Sequence, residues 1–335
     1  SVSPFFPTPR FRRMSTRADT VHPPITVFKF GGTSVGTPQR FRTVIDLATE
    51  TAAEGRVVAV VSALSNVTRR LSGALEAFTT GPADRETVLS DLRTRHCEQA
   101  RAVLSPARAD RYAGLVNERL RTLQGVFAHV ERTGFSPAAR DAVLSTGEQL
   151  SVPLVTLALR DAGCPAPHCD ATALVVTDDT FGAANVARKA TTRRMRAWYA
   201  DLRPTALPVI AGFIGATRDG RPTTLGFEGS DYSASLTARI LGAQCLTRYT
   251  DVDGLYTADP HTDPSAERLD EISMEKAFAL TESGRLGMHP KTLRPLAEAA
   301  IPMQIRSIDD PEAPGTRITP DGAADTVMIP RRHPA

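Results

Sequence analysis

The apolar run Ile25-Thr26-Val27-Phe28 leads directly into Lys29-Phe30-Gly31-Gly32-Thr33-Ser34. The run predicts a buried strand, and its ending constrains the chain more than any other stretch. Glycines just after a strand let backbone N–H groups come close to an anion. A helix that follows would add the positive end of its dipole. Lys29 stands out from its background: of 40 Lys and Arg residues only four are lysines, namely Lys29, Lys189, Lys276 and Lys291. In a chain that otherwise uses arginine, a lysine here suggests a compact point charge rather than a planar fork. The competing reading is a tight strand–helix turn with a solvated lysine.

Alternating segments follow. Residues 37–53 predict a helix with Phe41, Val44, Ile45 and Leu47 on its apolar face. Val57-Val58-Ala59-Val60-Val61 is a continuous apolar strand, as expected in a parallel sheet covered on both sides. Helices are predicted at 66–79, through much of 84–133, and at 137–162. Leu174–Thr177 reads as a short strand, 184–201 as a helix and Leu207–Ala211 as a strand. Asp219-Gly220 is a hairpin signal between Phe213-Ile214 and Thr223–Leu225. A helix at 230–242, a strand at 245–249, helices at 274–282 and 291–299, and a strand at 302–305 complete the pattern. Such βαβ alternation predicts an α/β protein with a mainly parallel sheet between helices. A lobe boundary is expected near 203–212.

Composition excludes several classes. The 335 residues suffice for a substantial core, and 41% apolar with 23% charged residues is ordinary for a soluble protein. A net charge of +3 makes no case for nucleic-acid binding, and no apolar run is expected to reach membrane-span length. Four scattered cysteines fit reduced thiols in a cytoplasmic setting. Cys164, His168, Cys169 and Asp170 invite a zinc reading, but no second ligand pair stands at finger spacing and Pro165 and Pro167 suggest a loop. No metal site is therefore expected in the chain itself. Residues 1–24 are rich in Pro, Ser and Arg, lack periodicity, and read as a disordered leader. An organelle transit peptide is the alternative.

Four glycine- or acid-bearing junctions fall at strand ends, where open α/β sheets hold ligands. They are Lys29–Ser34, Gly212-Phe213-Ile214-Gly215, Gly226-Phe227-Glu228-Gly229-Ser230-Asp231, and Thr250-Asp251-Val252-Asp253-Gly254-Leu255-Tyr256 running on to Asp259-Pro260. Asp231, in the first turn of a helix, could orient Lys29; simple capping is the other explanation for Ser230 and Asp231.

In this order, together with VVSALSNVT at 60–68, STGEQLS at 145–151, MHP at 288–290 and GTRI at 315–318, the chain resembles the aspartate kinases of the amino-acid-kinase family. The resemblance implies a three-layer αβα sandwich around a mainly parallel sheet, in two lobes. An acidic-substrate lobe would span 25–205 and a nucleotide lobe 206–318, with a tail at 319–335. It implies ATP and Mg²⁺ as cofactors and a small carboxylic acid as substrate. Lys29 and Asp231 would be catalytic, and Gly31, Gly32, Thr33 and Ser34 would bind phosphate. Thr68, Glu148, Phe213, Phe227 and Ser230 would meet the substrate, Glu148 taking its α-ammonium. Thr250, Asp251, Tyr256, Asp259 and Arg285 would meet the nucleotide. The implied product is an acyl phosphate, which a downstream reductase or transferase would consume. A homodimer is compatible with the resemblance, and neither nucleic acid nor membrane is an expected partner.

The chain also departs from the family. Phe227 replaces an arginine that pairs with the substrate α-carboxylate, an interaction worth about 1.5–3 kcal/mol. Either Arg218 or Arg221 reaches in instead, or the substrate lacks a free α-carboxylate. His261 and Leu286 replace basic residues of the nucleotide site, with Arg285 adjacent. Paired regulatory ACT domains, usual after GTRI, are not expected in the 17 residues that remain. Three functions stay open: a kinase for aspartate, a kinase for a modified aspartate or related acid, and a non-catalytic homologue. Joint retention of Lys29, Gly31, Gly32, Glu148 and Asp231 favours an enzyme.

Overall fold

The computed structural model describes residues 23–80, 85–257, 263, 265–282 and 288–321. The expected leader up to residue 22, the tail from 322, Asp259, His261, Arg285 and Leu286 lie outside the described residues. The chain opens with β1 (Ile25–Phe30), α1 (Pro38–Glu54), β2 (Arg56–Val61), α2 (Val67–Thr80), α3 (Arg85–Val103), α4 (Pro106–Thr133) and α5 (Pro137–Asp161). Short elements follow: β3 (His168–Cys169), α6 (Ala171–Leu174) and β4 (Val176–Thr177). Next come α7 (Arg188–Ala200), β5 (Val209–Ala211), β6 (Ile214–Thr217), β7 (Pro222–Thr224), α8 (Gly229–Leu241) and β8 (Cys245–Thr250). The last part holds β9 (Leu255–Tyr256), β10 (Arg268–Leu269), β11 (Glu271–Ser273), α9 (Met274–Glu282), α10 (Pro290–Glu298), β12 (Met303–Ser307) and β13 (Thr316–Thr319).

The main sheet has eight strands in the order β11-β13-β12-β8-β1-β2-β5-β3. Every neighbouring pair is parallel except β12–β13. This is the mainly parallel sheet of an α/β protein that the alternating pattern predicts. Val57 to Val61 are all buried, as a strand covered on both faces requires. Helix α1 starts where Thr37 accepts a hydrogen bond from the Arg40 N–H, with Pro38 at the first helical position. β4, β6 and β7 form a separate three-stranded sheet.

Two expectations shift. The strand expected at 174–177 shrinks to Val176–Thr177, because Asp170 caps Thr172 N at 3.0 Å and draws Ala171–Leu174 into a helical turn. The helix expected from 184 starts at Arg188. Before it, Ala184 N–H donates to Thr224 O and Ala187 N–H to Val176 O, so those donors serve sheet contacts. Pro165–Pro167 is loop, as expected, and leads into the edge strand β3.

Helix α5 corrects the expectation about membrane-length runs. By length and hydropathy it could cross a bilayer, yet 83% of its apolar window is buried inside the protein. It is a core helix, packed between α4, α2, β5 and β7. Its buried Asp141 ties it to the small sheet: Oδ2 accepts from Gly182 N at 2.8 Å and Thr224 N at 2.7 Å, and Oδ1 from Thr224 Oγ1 at 2.9 Å.

Candidate active site

Central strand β1 has β2 on one side and β8 on the other. The chain leaves β1 toward β2 and β5 and returns to its other side with β8 and β12, so the strand order reverses at β1. The carboxyl ends of strands at such a switch point form a crevice. Lys29, one residue from the end of β1, stands at that crevice.

Lys29 is only 6% exposed. Its Nζ lies 3.0 Å from Asp231 Oδ2, and Asp231 is in the first turn of α8. Burial pushes the Lys29 amine below its ordinary value, against the raising pull of Asp231. Burial pulls the Asp231 carboxyl upward, but Arg248 and then Lys29 outweigh it and hold the group below the usual carboxylate range. The two groups form a close pair at the crevice end of the sheet. The reading of Lys29 as a solvated turn residue is excluded by its burial.

The glycine turn is built for close approach. A Cβ on Gly32 would stand 2.9 Å from Ala63 O, so any side chain there forces the two loops apart. A Cβ on Gly31 would sit 3.4 Å from Lys29 Nζ, so the space above Gly31 borders the amine. Thr33 O accepts from Arg40 Nη1 at 3.4 Å. Ser34 turns inward: its Oγ donates to Tyr249 O at 3.1 Å, and its N–H donates to Gly31 O. Its hydroxyl therefore locks the turn to β8.

Glu148, on α5, is buried and reaches under the loop after β2. Its Oε1 accepts from Ala63 N at 3.1 Å, while Oε2 is buried without a partner. Burial pushes its pKa up to about 8, the Ala63 hydrogen bond only partly opposing this. A buried carboxyl oxygen without a partner has the chemistry to receive a cationic group. Gly147 before it fits only because it lacks a side chain, since a Cβ would lie 2.7 Å from Ala63 Cβ. Thr68, in the first turn of α2, is half-buried.

Two junctions adopt left-handed backbone at non-glycine residues, Phe213 at φ 65° and Glu228 at φ 54°. Such conformations store strain and cluster at ligand sites. Phe213 N–H donates to Ser233 Oγ, and its ring leaves no room for a Cβ on Gly229. Ser230 packs against Gly212, where a Cβ would stand 2.8 Å from Ser230 Cβ. Glu228 caps α8 without a side-chain cap bond, and its carboxylate instead accepts from His289 N–H. Phe227, between these, is 75% exposed. Arg221, one of two arginines expected to compensate for it, is held at the hairpin by Asp219 at 2.8 Å and stacks on Phe181. Arg218 is exposed.

At the end of β8, Thr250 Oγ1 donates to Asp251 Oδ1 at 3.0 Å, and Tyr256 OH donates to the Asp253 carboxylate at 2.9 Å. These two pairs flank the start of the β9–β10 hairpin. The structure therefore gathers Lys29, Gly31, Gly32 and Asp231 at one strand end, with Glu148 one loop away and Thr250 on the adjacent strand.

Sequence reasoning missed two residues here. Lys291 Nζ donates to Leu225 O and lies over the Tyr232 ring at 5.4 Å. Arg248 Nε lies 3.1 Å from Asp231 Oδ1. The signal for Arg248 was present: an arginine inside Cys245-Leu246-Thr247-Arg248-Tyr249, a strand otherwise suited to the sheet interior.

A profile of the amino acid kinase family matches residues 24–307. Lysine-sensitive aspartokinase 3 of Escherichia coli is 33% identical over 88% of this chain and 64% of that protein. The chloroplastic bifunctional aspartokinase/homoserine dehydrogenase 2 of Zea mays is 28% identical over 88% of this chain and 32% of its own length. This chain thus spans roughly a third to two-thirds of such relatives. The crystal structure of E. coli aspartokinase III in complex with aspartate and ADP superposes with a TM-score of 0.80 and 31% identity, covering 88% of this chain and 64% of that one. With the profile spanning the whole sheet up to β12 and its glycine turn, the chain belongs to the amino acid kinase family.

Proposed function

We propose that this chain is an ATP-dependent carboxylate kinase that phosphorylates the β-carboxylate of L-aspartate, giving 4-phospho-L-aspartate and ADP. The observation that carries this reading is the buried Lys29–Asp231 pair, 3.0 Å apart, over the glycine turn at the carboxyl end of β1. Its likeness to a structure holding aspartate and ADP supports the choice of ligands.

The chemistry follows from charge. A β-carboxylate is ionised at neutral pH, so no base has to remove a proton. One carboxylate oxygen attacks the γ-phosphorus and forms a P–O bond. The bond from the γ-phosphorus to the β–γ bridging oxygen breaks, and its electron pair leaves on ADP. The obstacle is the approach of two anions. Lys29 neutralises the transferring group, and N–H groups of the Gly31–Gly32 turn add dipoles that need no reorganisation. Asp231 keeps the lysine in place. Thr33 and Ser34 hold the turn's shape. Glu148 takes the substrate's α-ammonium on its unpartnered Oε2, with Thr68, Phe213 and Ser230 around it. Thr250, Asp251 and Tyr256 bound the nucleotide.

Among the described residues no three carboxylate, imidazole or thiol groups gather as a metal cage. Mg²⁺ is usually held by substrate phosphates and one or two carboxylates. The residues here fit an ion that arrives on the nucleotide, where it would neutralise phosphate charge. The acyl phosphate is a reactive mixed anhydride, suited to a reductase or transferase that consumes it.

One observation favours a second acceptor. Phe227 offers no cation where the resemblance expects one, and Arg221 is paired with Asp219. An aspartate derivative with a masked α-carboxylate would suit that surface. The test is hydroxylamine trapping of the acyl phosphate, with ATP and Mg²⁺, across aspartate, its α-amide, N-acyl-aspartate and succinate. Hydroxamate from aspartate supports the first reading. Hydroxamate from the α-amide alone selects the second, and none from any acid refutes both.

A further inference from the structure

Asp231 serves two cations. Lys29 Nζ approaches Oδ2 at 3.0 Å and Arg248 Nε approaches Oδ1 at 3.1 Å. Lys29 and Arg248 are register partners on the neighbouring parallel strands β1 and β8, so their side chains leave the sheet side by side. Arg248 also lies two residues before Thr250, on the strand that leads to the proposed nucleotide segment.

The pairing is unbalanced. One carboxylate faces two cations, which leaves a surplus positive charge at the crevice. Glu228, the other nearby acid, is engaged by the His289 N–H. Lys291, also near Glu228, adds a further amine. The Arg248–Asp231 contact is close in distance but lacks hydrogen-bond alignment, so Arg248 Nε and Asp231 Oδ1 are both buried without a hydrogen-bond partner. The Arg248 side chain keeps 17% of its surface open, and its terminal amino groups hydrogen-bond to no described residue. An arginine kept for structure would normally have its fork satisfied, because unpaired buried charge is costly.

We propose that Arg248 is a further catalytic residue: its guanidinium contacts non-bridging oxygens of the γ-phosphoryl group beside Lys29. The inference rests on the phosphoryl-transfer reading above. A planar fork can bind two oxygens at once, while Lys29 supplies a point charge to the third. Asp231 then holds both cations at the separation the phosphoryl group needs.

The experiment uses the full chain with Arg248→Ala, Arg248→Lys and, for comparison, Lys29→Ala, each checked for a parental unfolding midpoint. Calorimetry measures binding of ADP and of the non-hydrolysable ATP analogue AMPPNP, and turnover is measured with the acid selected by hydroxamate trapping. Expected for Arg248→Ala is at least tenfold weaker AMPPNP binding with ADP changed less than twofold. Its kcat should fall roughly 10²-fold with the acceptor KM nearly unchanged. Added methylguanidinium should restore part of the kcat of Arg248→Ala and none of that of Lys29→Ala. If Arg248→Ala does not fold, Arg248→Lys carries the same comparison, since an ammonium lacks the fork. Equal loss of both nucleotides, or an unchanged kcat, overturns the inference while the kinase assignment stands. A parent chain that binds neither nucleotide overturns both.

Discussion

Glu148 sets a specific pH dependence. With its carboxyl pushed up to about 8 by burial, roughly nine-tenths of the free protein carries a proton there at pH 7. An incoming α-ammonium favours the ionised form, so binding must expel that proton. Expelling it at one unit below the pKa costs about 1.4 kcal/mol, which is tenfold in affinity. The KM for the amino-acid substrate should therefore fall about tenfold from pH 6 to pH 7 and level off above pH 8. Binding at pH 7 should release close to one proton, read by calorimetry in buffers of different ionisation enthalpy. Glu148→Gln should abolish the slope and raise KM at pH 8.5 by roughly ten- to hundredfold, the value of a charged hydrogen bond. The fold gives an independent check. A carboxyl whose folded pKa is raised contributes stability fully present below its unfolded value near 4.5 and lost as pH rises through about 8. Glu148→Gln removes that loss, so its unfolding midpoint should gain on the parent's between pH 5 and pH 8. A KM that is flat from pH 6 to 8, with no proton released, would falsify the assignment of Glu148 to the ammonium.

Three other outcomes follow from the same geometry. Lys29→Arg should lose more than tenfold in kcat, beyond ~1.4 kcal/mol, because a guanidinium cannot occupy the buried slot between Asp231 and the space over Gly31; a rate above a tenth of the parent's refutes this. Asp141→Ala should destabilise the chain by roughly 3 kcal/mol or more in urea unfolding, since two backbone N–H groups and a hydroxyl lose their acceptor; an unchanged midpoint would show that water replaces it. Phe227→Arg should lower the aspartate KM up to about tenfold and harm the α-amide. The gain is limited because the position is 75% exposed, and identical kinetics on both substrates would remove Phe227 from the specificity surface.

Much of this protein was legible before any coordinates. β1 and β2 could be read because a strand buried on both faces must be apolar throughout, and Val57–Val61 is. Lys29, Gly31 and Gly32 could be read because a backbone turn that hugs an anion tolerates few residue types. Asp231 as partner for Lys29 was one of two readings of a helix start, simple capping being the other, and the 3.0 Å contact supports the first. The short strands β9, β10, β11 and β13 were not legible. At two to four residues each they are too brief to show a period, and pairing partners hold them.

What only the tertiary structure decided are the long-range relations. Residues 29 and 248 are 219 positions apart, and only the parallel register of β1 on β8 makes them neighbours across one carboxylate. Only the resemblance pointed Glu148 at the substrate's ammonium, and only the structure shows its burial beneath Ala63, which makes it a carboxyl with a pKa of about 8 and an unpartnered oxygen. Ser34 looked like a phosphate ligand, and its hydroxyl is instead taken by Tyr249 O. Local sequence fixes which conformations a segment prefers, because sterics and hydrogen bonding to near neighbours act over a few residues. Burial, register and charge pairing depend on which distant segments meet, and that is decided only when the sheet closes around β1.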